Sequence, residues 1–79
     1  MNPEDERFLE DCDKFKDYAN IDEYISDIRR CLVVSGMCKN DAAADRSINA
    51  PERAAWIREA FEKHEPASDI AADVGYFCG

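Results

Sequence analysis

Four cysteines, at positions 12, 31, 38 and 78, and a single histidine, His64, are the side chains of this 79-residue chain best suited to soft-metal ligation or nucleophilic attack. Their spacing supports neither. Zinc sites usually draw two ligands from one tight turn, about two to four residues apart. Cys31, Cys38, His64 and Cys78 show no such spacing, and no Cys-x-x-Cys pair occurs. Calcium fares no better: neither Asp11-Cys12-Asp13 nor the run from Asp41 to Asp45 has the central glycine and closing glutamate of an EF-hand loop. A Cys or Ser nucleophile would have only His64 as base, and no nucleophile elbow or glycine-rich phosphate loop is present. So short a chain has little material for a closed pocket and its supporting shell. No catalytic residue, metal or cofactor is therefore assigned, and the chain reads as non-enzymatic.

The redox state of the cysteines follows the compartment. Under reducing conditions free thiols are expected, acting as small buried hydrophobes. Under oxidising conditions the favoured pairs are Cys12 with Cys31, and Cys38 with Cys78.

The carboxylates carry the strongest pattern. Ten of the eighteen acidic residues lie in the first 28 positions against three basic ones, so almost all of the net charge of -8 sits at one end. That end repels nucleic acid and anionic membrane and attracts basic protein surfaces. Read as a helix, the segment places Glu6, Glu10, Asp13 and Asp17 on one face, a carboxylate row spanning roughly 16 Å. Asp22, Glu23 and Asp27 follow on the next element. Such a row has the sign and direction of a phosphate backbone, though it is sparser than duplex DNA. A surface helix also needs a solvated face, and carboxylates supply one without any partner.

The elements that must position these groups are helical. Pro3 suits a first helical turn, with Asn2 before it as a cap. Phe8, Cys12, Phe15 and Ala19 recur at helical spacing, which predicts a first helix to about Tyr18 or Ala19. Asn20 and Glu23 form a capping-box signature opening a second helix, with Ile21, Ile25, Ile28 and Leu32 as its stripe and Gly36 as its terminator. Almost no linker separates the two, so they are expected to form an N-terminal αα-hairpin. Cys31-Leu32-Val33-Val34 is apolar on every side and marks the centre of the fold.

Residues 37–49 read as a short helical turn capped by Asn40 or Asp41, or as an irregular connector. Asn49-Ala50-Pro51-Glu52 opens a further helix bearing Ala54, Ile57, Phe61 and His64, and His64-Glu65-Pro66 closes it. His64 is expected as a cap or a partly buried side chain. Ser68 caps a last helix carrying Ile70, Val74 and Phe77, fraying at Gly75. The expected fold is all-α: one domain over residues 1–79, a small bundle of three main helices plus one or two short ones.

No apolar run approaches the roughly 18–20 residues that span a bilayer. The N-terminus is acidic where a secretory signal would be basic. A cytoplasmic protein is expected, with no direct nucleic-acid or membrane partner. Its expected role is to occlude the basic surface of another protein, such as a nucleic-acid-binding one. Size and charge are those of phage-type inhibitors of host defence, anti-CRISPR or anti-restriction proteins among them. Two alternatives stand beside it. One is a helical adaptor or self-associating module using apolar contacts around Trp56, which lies off the main stripe of its helix, and the C-terminal Tyr76-Phe77-Cys78. The other is a thiol-based metal or redox protein.

Overall fold

In the computed structural model, which describes residues 3–76, five helices follow one another: α1 (Pro3–Asp11), α2 (Ile21–Val34), α3 (Asp41–Ile48), α4 (Pro51–Glu62) and α5 (Ala67–Gly75). The described residues contain no strand. The two longest helices, α2 and α4, take the place of the three main ones expected.

α2 starts where its caps dictate. The Asn20 side chain accepts from the Glu23 N–H at 3.1 Å, and the Glu23 carboxylate reaches back to the Ala19 N–H at 2.9 Å. The first bond satisfies a donor that the first helical turn leaves without a partner, and the second fixes the residue before the cap. The helix ends at Val34, and just beyond it Gly36 turns the chain with a φ of 84°, costly for any residue with a Cβ. Between these ends Tyr24, Ile28, Cys31 and Leu32 are buried, and α2 packs against all four other helices, most extensively α5. Of the apolar run at 31–34, Cys31 and Leu32 are buried at the centre, whereas Val33 and Val34 are only half-buried, so the run is not covered on every side.

α1 departs from expectation. It stops at Asp11, and residues 12–20 form a non-helical connector, so the closely joined hairpin does not form. Two causes combine. Continuing the helix would bring Asp13 and Asp17 to its negative C-terminal end, and aspartate is a poor helix former. Leaving the helix frees the Cys12 carbonyl to accept from the Ser68 N–H at 3.0 Å, and it lets Phe15 and Tyr18 reach Tyr24. Ala19, expected on the buried face, is exposed.

The remaining elements keep the expected order with altered ends. Asn40 caps α3 by accepting from Ala43 N–H at 2.9 Å. α4 opens on Pro51 with Ala50, not Asn49, in the capping position and no side-chain cap. Ala54, expected on its apolar face, is exposed, while Ile57 and Ala60 are buried. α5 begins one residue before Ser68, which therefore does not cap it. The Cys12 carbonyl meets the Ser68 N–H instead. Gly75 is buried rather than frayed: a Cβ there would lie 2.4 Å from Met37 Sδ and 2.9 Å from Leu32 Cδ2. Phe77 lies outside the described residues, as does Asn2.

Candidate acidic interface

The end of α1 divides the expected carboxylate row. Glu6 and Glu10 stay on α1, Asp13 and Asp17 stand on the connector, and all four are exposed. Among the described residues none is ion-paired with them. Asp22 is exposed in the first turn of α2. Glu23 is committed to its cap.

Asp27 has the most internal work. Its carboxylate accepts from Lys16 Nζ at 3.1 Å and from the Tyr18 hydroxyl at 2.8 Å. The Tyr18 phenol is pushed well above its ordinary value near 10, first by burial and then by this bond. Asp17, Glu23 and Asp27 nevertheless line one shallow hollow of about 420 Å3, together with Lys16 and Tyr18. Three carboxylates face one ammonium, so the hollow is net acidic. Glu10 lines a neighbouring hollow with Asp11, Lys14, Phe15 and Lys16. Lys16 borders both, and its amine also lies 5.1 Å from the Phe8 ring centroid. Neither Lys16 nor Tyr18 was assigned to this acidic surface from the sequence. Their signal was position: a cation and a phenol flank Asp17 in an otherwise acidic stretch.

Aromatic packing holds this surface. Phe15 touches Tyr18, Tyr24, Phe61 and His64, with centroids 4.7 to 6.0 Å apart. Tyr24, fully buried, donates its hydroxyl to the Glu65 carbonyl at 2.9 Å. Such a cluster ties the connector to α2 and to the end of α4 through ring contacts, each adding about 0.5–1.5 kcal/mol beyond area burial. His64 has left-handed backbone at φ 58° and an exposed side chain, so it does not bury as one sequence reading had it.

The cysteines split into two states. Cys38 is disulfide-bonded, which corrects the expectation of free thiols throughout; its favoured partner, Cys78, lies outside the described residues. Cys12 and Cys31 are free and buried, which overturns the pairing of the two expected under oxidising conditions. Interaction with Cys31 and burial raise the Cys12 pKa, whereas interaction with Cys12 lowers that of Cys31 against burial and the charges of Asp13 and Asp27. Among the described residues no group of three or more His, Cys, Asp or Glu could hold a metal ion. No helix there is long and apolar enough to cross a membrane.

A second surface feature lies between α4 and α5, a groove of about 540 Å3. Trp56, 37% exposed, and Tyr76, 85% exposed, line it with Glu59, Lys63, Glu65 and Asp73. Glu59 and Lys63 pair at 2.7 Å along the helix, and that bond lowers the Glu59 pKa and raises that of Lys63. The acidic rim of this groove was not foreseen, because Glu59 and Asp73 lie far apart in sequence.

Neither the family models, the curated proteins nor the solved structures compared with this chain match it, so its function must be argued from its own residues.

Proposed function

We propose that this chain is a non-enzymatic binding protein whose acidic end occludes a basic, nucleic-acid-binding surface on a partner protein. The reading is carried by Glu6, Glu10, Asp13 and Asp17: four exposed carboxylates with no ion pair among the described residues, at the end of the chain that holds most of its charge. Asp22 extends the surface. Glu23 and Asp27 shape it, since each is already engaged within the molecule. Carboxylates presented in this way would occupy positions meant for phosphates, and long-range attraction would speed encounter. Phage inhibitors of the anti-CRISPR or anti-restriction kind are the type of protein for which such a surface would serve.

The test is a pull-down at low salt, followed by titration of the captured partner with its nucleic acid. The protein and the nucleic acid are expected to compete. Simultaneous binding of both would overturn the proposal.

The groove beside Trp56 and Tyr76 favours a second reading, an adaptor that binds through aromatic contacts. Under that reading Trp56→Ala abolishes binding, and raising salt from about 50 to about 500 mM leaves it intact.

A further inference from the structure

The large apolar side chains that stand exposed among the described residues are Met37, Trp56 and Tyr76, and they gather at one end of α5. Met37 packs against Gly75, the residue before Tyr76, and Tyr76 lines the groove between α4 and α5 together with Trp56. At about 540 Å3 this groove falls within the roughly 300–1,000 Å3 of small-ligand sites. Sequence spacing builds its two walls. Trp56, Glu59 and Lys63 recur three and four residues apart along α4 and its cap, and Asp73 and Tyr76 lie three apart at the end of α5, so each set shares a helix face.

The charge on this groove is unbalanced. Lys63 is committed to Glu59 at 2.7 Å, whereas Glu65 and Asp73, both exposed, form no ion pair among the described residues. Aromatic walls with spare carboxylates at the rim are complementary to a cation that has a flat, weakly hydrated face. A guanidinium is such a group: it stacks on aromatic rings and presents five N–H donors to carboxylates, whereas an ammonium is a strongly hydrated point charge. A neutral apolar side chain would leave the carboxylates unused, and an acidic one would be repelled.

We propose that the groove between α4 and α5 docks an arginine side chain from a peptide segment of a partner protein, its guanidinium against the Trp56 and Tyr76 rings and its charge opposite Glu65 and Asp73. The inference rests on the reading that this groove binds a partner, and it adds the ligand class that aromatic contacts alone do not choose. It makes charge the determinant, and it uses none of the carboxylates at the acidic end.

The chain's single tryptophan lines the groove and reports its occupancy. The experiment titrates the purified protein with the capped tripeptide Leu-Arg-Leu, and with the same peptide carrying citrulline, the neutral isostere, in place of arginine. Selectively excited tryptophan fluorescence is followed. A saturable change is expected, with the arginine peptide binding at least about fivefold more tightly. Raising salt from about 50 to about 500 mM should narrow that difference. Glu65→Gln combined with Asp73→Asn, both at exposed positions, should weaken the arginine peptide about threefold and leave the citrulline peptide unchanged, with circular dichroism confirming the fold. Equal binding of the two peptides would overturn the proposal and leave an apolar adaptor groove standing. No response to either peptide would also overturn it, the adaptor reading then being decided by its own Trp56→Ala test. Dimers in sedimentation that Trp56→Ala disperses would assign the groove to a second copy of this chain and overturn the proposal likewise.

Discussion

The ring of Phe15 lies stacked on the imidazole of His64, centroids 4.7 Å apart and planes 18° from parallel. This pair joins the connector after α1 to the turn after α4, and it accounts for a backbone oddity. His64 occupies a left-handed position that glycine ordinarily takes, in a helix end where the Glu65 N–H bonds to Ala60 O and the His64 N–H to Phe61 O. The stacked ring offsets a backbone cost of roughly 1–2 kcal/mol. Phe15→Ala is expected to lose about 2 kcal/mol, because the ring is half-buried among four other rings. His64→Gly alone should change stability by less than about 1 kcal/mol, since strain relief and lost stacking oppose each other. In the Phe15→Ala background the same His64→Gly change should stabilise by about 1 kcal/mol. Urea unfolding of the four proteins completes the cycle, and additive effects would show that the rings do not couple.

Gly75 is required by space. A Cβ there meets Met37 and Leu32 inside contact distance, so Gly75→Ala should cost about 1–3 kcal/mol. Adding Met37→Ala should recover part of that loss, because the nearest obstacle is the Met37 sulfur. Equal stability of Gly75→Ala and wild type in urea would contradict the packing described.

Alkaline pH should destabilise the fold. Burial raises both Tyr18 and Tyr24 above the ordinary phenol value near 10; Asp27 adds to the first, Glu65 and Asp69 to the second. The unfolded chain therefore releases these protons at lower pH than the native one. Stability from this source is complete below about pH 10 and falls as pH rises through the native values. Urea midpoints between about pH 8 and about pH 11 should decline, less steeply in Tyr18→Phe and Tyr24→Phe. A flat profile would refute the assignment.

The cap residues separate stability from binding. Asn20→Ala should cost about 1 kcal/mol, because the Glu23 N–H loses its acceptor. Glu23→Lys should also destabilise, through loss of its bond to Ala19 and a positive charge at the helix start. Thermal unfolding monitored by circular dichroism would register both, and an unchanged midpoint would mean that the capping box contributes nothing.

Much of this fold was legible where the signals were local. Asn20, Glu23, Gly36 and Asn40 act through hydrogen bonds and dihedrals set within a few residues, and each ends or starts an element as its chemistry requires. Of the apolar run at 31–34, Cys31 and Leu32 showed where the centre lies. The end of α1 was not legible, because periodicity at Phe8, Cys12 and Phe15 was satisfied equally by a helix and by a connector that turns Phe15 toward His64. The Ser68 cap failed for a similar reason: the acceptor for its N–H is Cys12, distant in sequence. Of the candidate surface, charge and exposure were readable, whereas the use of Glu23 and Asp27 within the molecule depended on partners that only folding supplies.

The central claim is that the acidic end binds a basic surface, and affinity against salt tests it most directly. A variant carrying Glu6→Lys, Glu10→Lys, Asp13→Lys and Asp17→Lys is titrated against the captured partner beside wild type, with helical circular dichroism confirming the fold. Screening shortens the reach of exposed charges from about 10 Å at 0.1 M salt to about 3 Å at 1 M. Wild-type affinity should fall steeply over that range, and the variant should bind at least roughly tenfold more weakly at low salt. Equal affinities for the two proteins, unmoved by salt, would contradict the account.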